Sequence, residues 1–125
     1  MKLDQDCVRD LLLKMEEQLG MNESEYLSNF HQRYFNDAYS FDQLLYTASK
    51  LHEAQLIEGH LFKVDSGLED IIIESITYNG HQLLDNIRDP EVWKDTKNMT
   101  AKVTGASLSV LTEVAKSMVL NRLGL

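Results

Sequence analysis

A chain of 125 residues, 43% apolar and 26% charged, with six Gly and one Pro, has the size and composition of one domain with its own hydrophobic core. That excludes disordered, collagen-like and low-complexity classes. Twelve Lys and Arg against 20 Asp and Glu leave a net charge of -8, the wrong sign for a protein that coats nucleic acid non-specifically. No apolar run approaches the roughly 20 residues of a membrane helix. The opening Met1 to Asp6 is acidic and lacks the form of a signal peptide, so the expected compartment is the cytoplasm, with no membrane contact.

Leu3, Cys7, Val8, Leu11, Leu12, Met15 and Leu19 recur at helical spacing, with Asp4 placed to cap the start and Gly20 to stop the end. Cys7, the single cysteine, falls on the apolar stripe and reads as a buried structural thiol. Residues 21–39 carry Tyr26, Leu27, Phe30, Tyr34, Phe35 and Tyr39 interrupted by Asn and Asp, a pattern that fits a short strand or turn as well as a helix. From Ser40, a good cap, the stripe Phe41, Leu44, Leu45, Ala48 and Leu51 predicts a second amphipathic helix. Leu56 to Val64 and Ile71 to Tyr78, separated by Asp65-Ser66-Gly67, predict a β-hairpin.

Beyond the hairpin, a helix starting near Thr77 to Gly80 carries Leu83, Leu84 and Ile87, and Asp89-Pro90 opens a short one with Val92, Trp93 and Thr96. Residues 98–105 read as a connector. The last helix, about Ser107 to Arg122, is apolar over more than one face. Such width calls for burial on several sides, within the domain or against a second copy, and makes 105–125 a candidate dimerisation helix through Leu108, Leu111, Ala115, Met118 and Val119. Charge is also uneven: residues 1–93 carry seven basic and eighteen acidic side chains, residues 94–125 five and two.

Helix, short extended segment, helix and hairpin is the order of a winged-helix domain. Three stretches carry a closer resemblance: Met1, Lys2, Asp4 and Asp6; Leu51, Ala54, Leu56 and Ile57; and Thr77, Gly80, His81, Leu84, Asp85, Ile87 and Arg88 with Trp93 nearby. The sequence resembles the bacterial and phage family known as domain of unknown function 2513 over nearly its whole length. Gln55 departs from the pattern, standing where members often have Gly. The resemblance implies a winged-helix-like α+β domain with a two-stranded wing and additional C-terminal helices, and it brings no catalytic residues.

In that fold the helix from Ser40 to Ala54 and the hairpin form the contact surface. Gln43, Tyr46, Ser49, Lys50 and Lys63 are the candidate residues for nucleic acid or a partner protein, set among Asp42, Glu53, Glu58, Asp65, Glu69 and Asp70. His81 and Asp85, at i and i+4, share a helix face with Arg88 in reach, which predicts an ion-pair network tying this helix to the hairpin or the first helix. The remaining histidines lack metal-ligand spacing, and no phosphate loop, nucleophile elbow, dinucleotide fingerprint or redox cysteine pair occurs. The expectation is a non-enzymatic interaction or regulatory module without cofactor or metal, a homodimer with an unidentified protein partner. Sequence-specific DNA-binding regulation is the alternative; an enzyme would need His81 and Asp85 gathered with Asp4, Asp6 or Tyr78 around a cavity.

Overall fold

The computed structural model describes residues 1–102 and 107–125; residues 103–106, within the predicted connector and the start of the proposed dimerisation segment, lie outside the described residues. Helix α1 (Gln5–Gln18) is followed by strand β1 (Glu25–Tyr26), a single turn α2 (Leu27–Phe30) that widens into a π-turn at His31–Phe35, and α3 (Phe41–Glu53). The hairpin β2 (Ile57–Val64) and β3 (Gly67–Ile76) comes next, then α4 (Tyr78–Ile87), α5 (Pro90–Thr100) and α6 (Leu108–Arg122).

The N-terminal caps expected at Asp4, Ser40 and Asp89 are made, and Thr77 caps α4; α1 ends at an extended Leu19, just before Gly20. Asp4 Oδ1 accepts the Cys7 N–H at 3.1 Å, Ser40 Oγ that of Gln43, Thr77 Oγ1 that of Gly80, and Asp89 those of Glu91 and Val92 with Pro90 in the first turn. These bonds satisfy donors that the start of any helix leaves free. Cys7, Val8, Leu11, Leu12 and Met15 of α1 meet Leu44, Ala48 and Leu51 of α3 in the core, which Ile71 and Ile73 of β3 and Leu83, Leu84 and Ile87 of α4 complete.

The sheet differs from the predicted pair of strands. Glu25 and Tyr26 pair antiparallel with Ile73 and Ile72, giving three strands in the order β1-β3-β2. Two residues are too few for an alternating pattern to be visible in sequence. Two further boundaries move: Tyr78 opens α4, 77% exposed, rather than closing β3, and α5 continues through Asn98 to Thr100. Along β3, Glu74 and Glu69 fall out of register with β2 as bulges, which accounts for the imperfect period of that strand.

Helix α3 ends in a left-handed residue. Gln55 has φ 62°, and the Leu56 N–H reaches back to the Leu51 carbonyl at 2.9 Å, the cap geometry that favours glycine. The position where the chain departs from the family pattern is thus the one where glycine fits best. Immediately beyond, the Leu56 carbonyl accepts the Thr77 N–H, Thr77 Oγ1–H donates to the Gln55 carbonyl, and Gly80 lies against the same Leu56 carbonyl. A Cβ on Gly80 would overlap that oxygen and press on Ile76 Cγ2 at 2.7 Å. One joint therefore locks the end of α3, both hairpin strands and the start of α4.

Candidate functional site

The outward surface of α3 is occupied with its own bonds. Gln43 Nε2 donates to Thr47 Oγ1, Ser49 Oγ to the Tyr46 carbonyl, and Lys50 Nζ to Glu53 Oε2 at 3.0 Å while lying over the Tyr46 ring. The hydrogen bond from Lys50 to Glu53 holds the lysine above its ordinary pKa. Tyr46, Lys50 and Glu53 line a cleft of about 990 Å³ whose opposite wall includes Leu3, Asp6 and Lys97. Lys63 stands apart on β2, exposed.

The expected His81–Asp85 pair does not form. Glu16 of α1 is the hub instead: Arg88 Nη1 and Nη2 grip its two carboxylate oxygens at 2.6 and 2.8 Å, and Arg88 Nη2 also reaches Asp85 at 3.1 Å. A planar guanidinium matches a carboxylate with two parallel bonds, which the imidazole cannot do. His81 Nδ1 stays 3.9 Å from Glu16. The bond from Arg88 pulls the Glu16 carboxyl below its ordinary 4.5, and Glu16 and Asp85 together raise the guanidinium further. Arg88 to Glu16 spans 72 residues, so no linear spacing announces it. The network joins α4 to α1. Asp6 lies ten residues up α1 from Glu16, roughly 15 Å at 1.5 Å per residue, so Asp4 and Asp6 are not gathered with His81.

Other motif residues have equally definite positions. Asp6 accepts Trp93 Nε1–H at 3.0 Å and pairs with Lys97, while the indole is 95% covered, so Trp93 fastens α5 to the start of α1. Arg9 reinforces this side by donating to the carbonyls of Ile87 and Arg88. Cys7 is wholly buried, and burial pushes its thiol up to about 11 despite a hydrogen bond from Thr47. Burial and the neighbouring Asp10, which accepts Tyr39 Oη–H at 2.6 Å, raise the Tyr39 phenol.

The proposed dimer face is divided. Leu111 and Ala115 are fully covered and Leu108 nearly so, with α6 packed on α4 and α5 of the same chain. These three residues are therefore covered within their own chain, the first of the two alternatives that the width of α6 left open. Met118 and Val119 are half-buried and Leu120 is exposed. The apolar width of α6 reflects contact with two neighbouring helices.

Sequence reasoning missed a further surface. On the open side of the sheet, Tyr26, Ile72 and His60 stand in one cross-strand row, and Phe62 is opposite Asp70 in the next. Tyr26 and Phe62 are stacked with centroids 5.8 Å apart and are 45% and 40% exposed; Val64 is 48% exposed. The alternation Glu58, His60, Phe62, Val64 is the signal in β2, and the short-strand alternative for residues 21–39 did not say which strand β1 would join. Among the described residues, no group of three or more His, Cys, Asp or Glu could hold a metal ion, no buried side-chain nitrogen or oxygen lacks a partner, and no helix is long and apolar enough to cross a membrane.

Comparison with known proteins adds a family. Residues 2–107 match the family described as "Hypothetical protein (DUF2513)". The chain is also similar to a protein of Haemophilus influenzae (strain ATCC 51907 / DSM 11121 / KW20 / Rd) described as "Uncharacterized protein", 28% identical over 120 residues that cover 95% of this chain and 96% of the relative. No solved structure matches. With the family match extending over most of its length, this chain belongs to the DUF2513 family of bacterial and phage proteins.

Proposed function

We propose that the protein is a cytoplasmic, non-enzymatic winged-helix-like module that recognises another protein and does not read DNA. The winged-helix reading draws on chain order: a helix, a short strand, a helical turn, a second long helix and a hairpin, with the first strand added to the hairpin as β1-β3-β2. The scaffold does not dictate its ligand.

The observation that carries the choice is the state of α3. Gln43 and Ser49 bond within the helix, its basic residue Lys50 is paired with Glu53, and Asp42 is the acidic residue of its first turn. A helix entering a major groove needs free donors for base edges and cations for flanking phosphates. Lys63 is the single lysine or arginine of the hairpin, against Glu58, Asp65, Glu69, Asp70 and Glu74. Phosphate would meet repulsion on both elements.

Fluorescence anisotropy with labelled duplex at low salt tests this reading. The expected result is no saturable binding below about 10⁻⁴ M, the weak end of ordinary non-specific affinity. Saturable binding to a selected sequence that Lys50→Ala abolishes would overturn it and establish DNA-binding regulation instead.

A further inference from the structure

We infer that the open face of the sheet, together with the outer edge of β2, is a docking surface for an extended, cationic segment of another protein. An antiparallel sheet covered on one side turns polar residues to the water on the other. Here that side presents Tyr26, Phe62 and Val64, each at least 40% exposed, around the half-buried Ile72. The stacked pair Tyr26–Phe62 ties β1 to β2 across β3.

Charge defines the occupant. Asp70 lies opposite Phe62, and Glu58 stands four residues along β2 from it; both accept serine hydroxyls, Glu58 from Ser75 at 3.2 Å and Asp70 from Ser28 at 2.6 Å, which leaves their charge unneutralised. Glu74 is met by His60 at 2.7 Å and Glu25 by Arg33. Asp65 and Glu69 add to the acidic hairpin, where Lys63 is the single lysine or arginine. Nucleic acid and anionic lipid would be repelled, whereas Arg or Lys could pair with the carboxylates and lie over the aromatic faces.

Backbone geometry supplies the extended form. The Gly59 carbonyl accepts His52 Nε2–H at 3.2 Å, so it points away from β3 and is taken by α3, which leaves the edge beyond it for an added strand. By two-residue alternation the N–H and C=O of Leu61 face the same way. Among the described residues no strand lies along that edge. An added strand would gain main-chain hydrogen bonds at the edge and side-chain contacts on the face. The competing view, that Lys63 and the two bulges merely blunt an edge against aggregation, predicts no such binding.

This inference rests on the protein-binding reading above and names its surface and partner chemistry. Its test uses the full chain and two probes, a decapeptide alternating Arg and Val and one alternating Glu and Val, followed by amide NMR. The Arg peptide should saturate the protein, shift Tyr26, Leu61, Phe62 and Ile72, and weaken about tenfold as added salt screens the carboxylates. Phe62→Ser and, separately, Glu69→Lys should each weaken it about fivefold or more with unchanged circular dichroism. No saturation by about 1 mM, shifts centred elsewhere, or equal binding of the Glu peptide would overturn the inference. Failure here with no DNA binding leaves the protein-binding reading standing; saturable, Lys50-dependent DNA binding would remove both.

Discussion

The joint beneath α4 and the open face of the sheet are built from the same hairpin by opposite rules. At the joint, Leu56, Thr77 and Gly80 are in mutual contact, and every polar group named there has a partner. On the open face, Tyr26, Phe62 and Val64 leave much of their apolar surface to water. The residues that carry the family resemblance cluster at the joint and along α1 and α4, where they cap, pair or fill. Distinctive sequence thus marks the parts that hold the hairpin in place, while the surface it presents has no motif.

Mutation can break that contrast. Trp93→Ala removes a buried ring and orphans a bond to Asp6 in the scaffold; it should lose about 3–5 kcal/mol in urea unfolding. Gly80→Ala forces a methyl against the Leu56 carbonyl, which is backbone and cannot swing aside, and should lose about 2–3 kcal/mol. A loss below about 0.5 kcal/mol would show the joint to be pliable.

Smaller effects sharpen it. Gln55→Gly relieves a left-handed non-glycine residue. Taking a strain of about 1–2 kcal/mol less the 0.4–1 kcal/mol or so of added unfolded-chain freedom, stability should rise by at most about 1.6 kcal/mol, with a middle value of about 0.8 kcal/mol. Arg88→Ala opens the half-exposed grip on Glu16 and should cost no more than about 1 kcal/mol at neutral pH. Because Arg88 lowers the Glu16 pKa in the fold, the stabilisation is present above the ordinary carboxylate range and disappears as pH falls through the folded value. Parallel unfolding curves for wild type and variant should therefore converge in acid. Phe62→Ser, on the open face, breaks the stack on Tyr26 and should cost about 0.5–1.5 kcal/mol; a loss of about 3 kcal/mol or more, the size of a core truncation, would move Phe62 into the scaffold.

What could be read from sequence followed range. Asp4, Ser40, Thr77 and Asp89 cap helices through bonds two or three residues long, and the stripe from Phe41 to Leu51 reports burial directly, so helices and hairpin were legible. Glu16 with Arg88, Asp6 with Trp93 and Tyr26 with Phe62 join distant segments with no common period. The His81, Asp85 and Arg88 spacing pointed to a network with the hairpin or α1, but its hub, Glu16, lies 72 residues from Arg88 and has no local signal. The breadth of α6 was visible, but only packing reveals that Leu111 and Ala115 face their own chain.

Cys7 turns this division of the molecule into a clock. The sole sulfhydryl lies at the centre of the scaffold, with an ionisation near 11 and no exposed surface, so an alkylating reagent can reach it only when α1 lifts from α3. Its labelling rate in the native protein would time the opening of the core, free of interference from any second thiol.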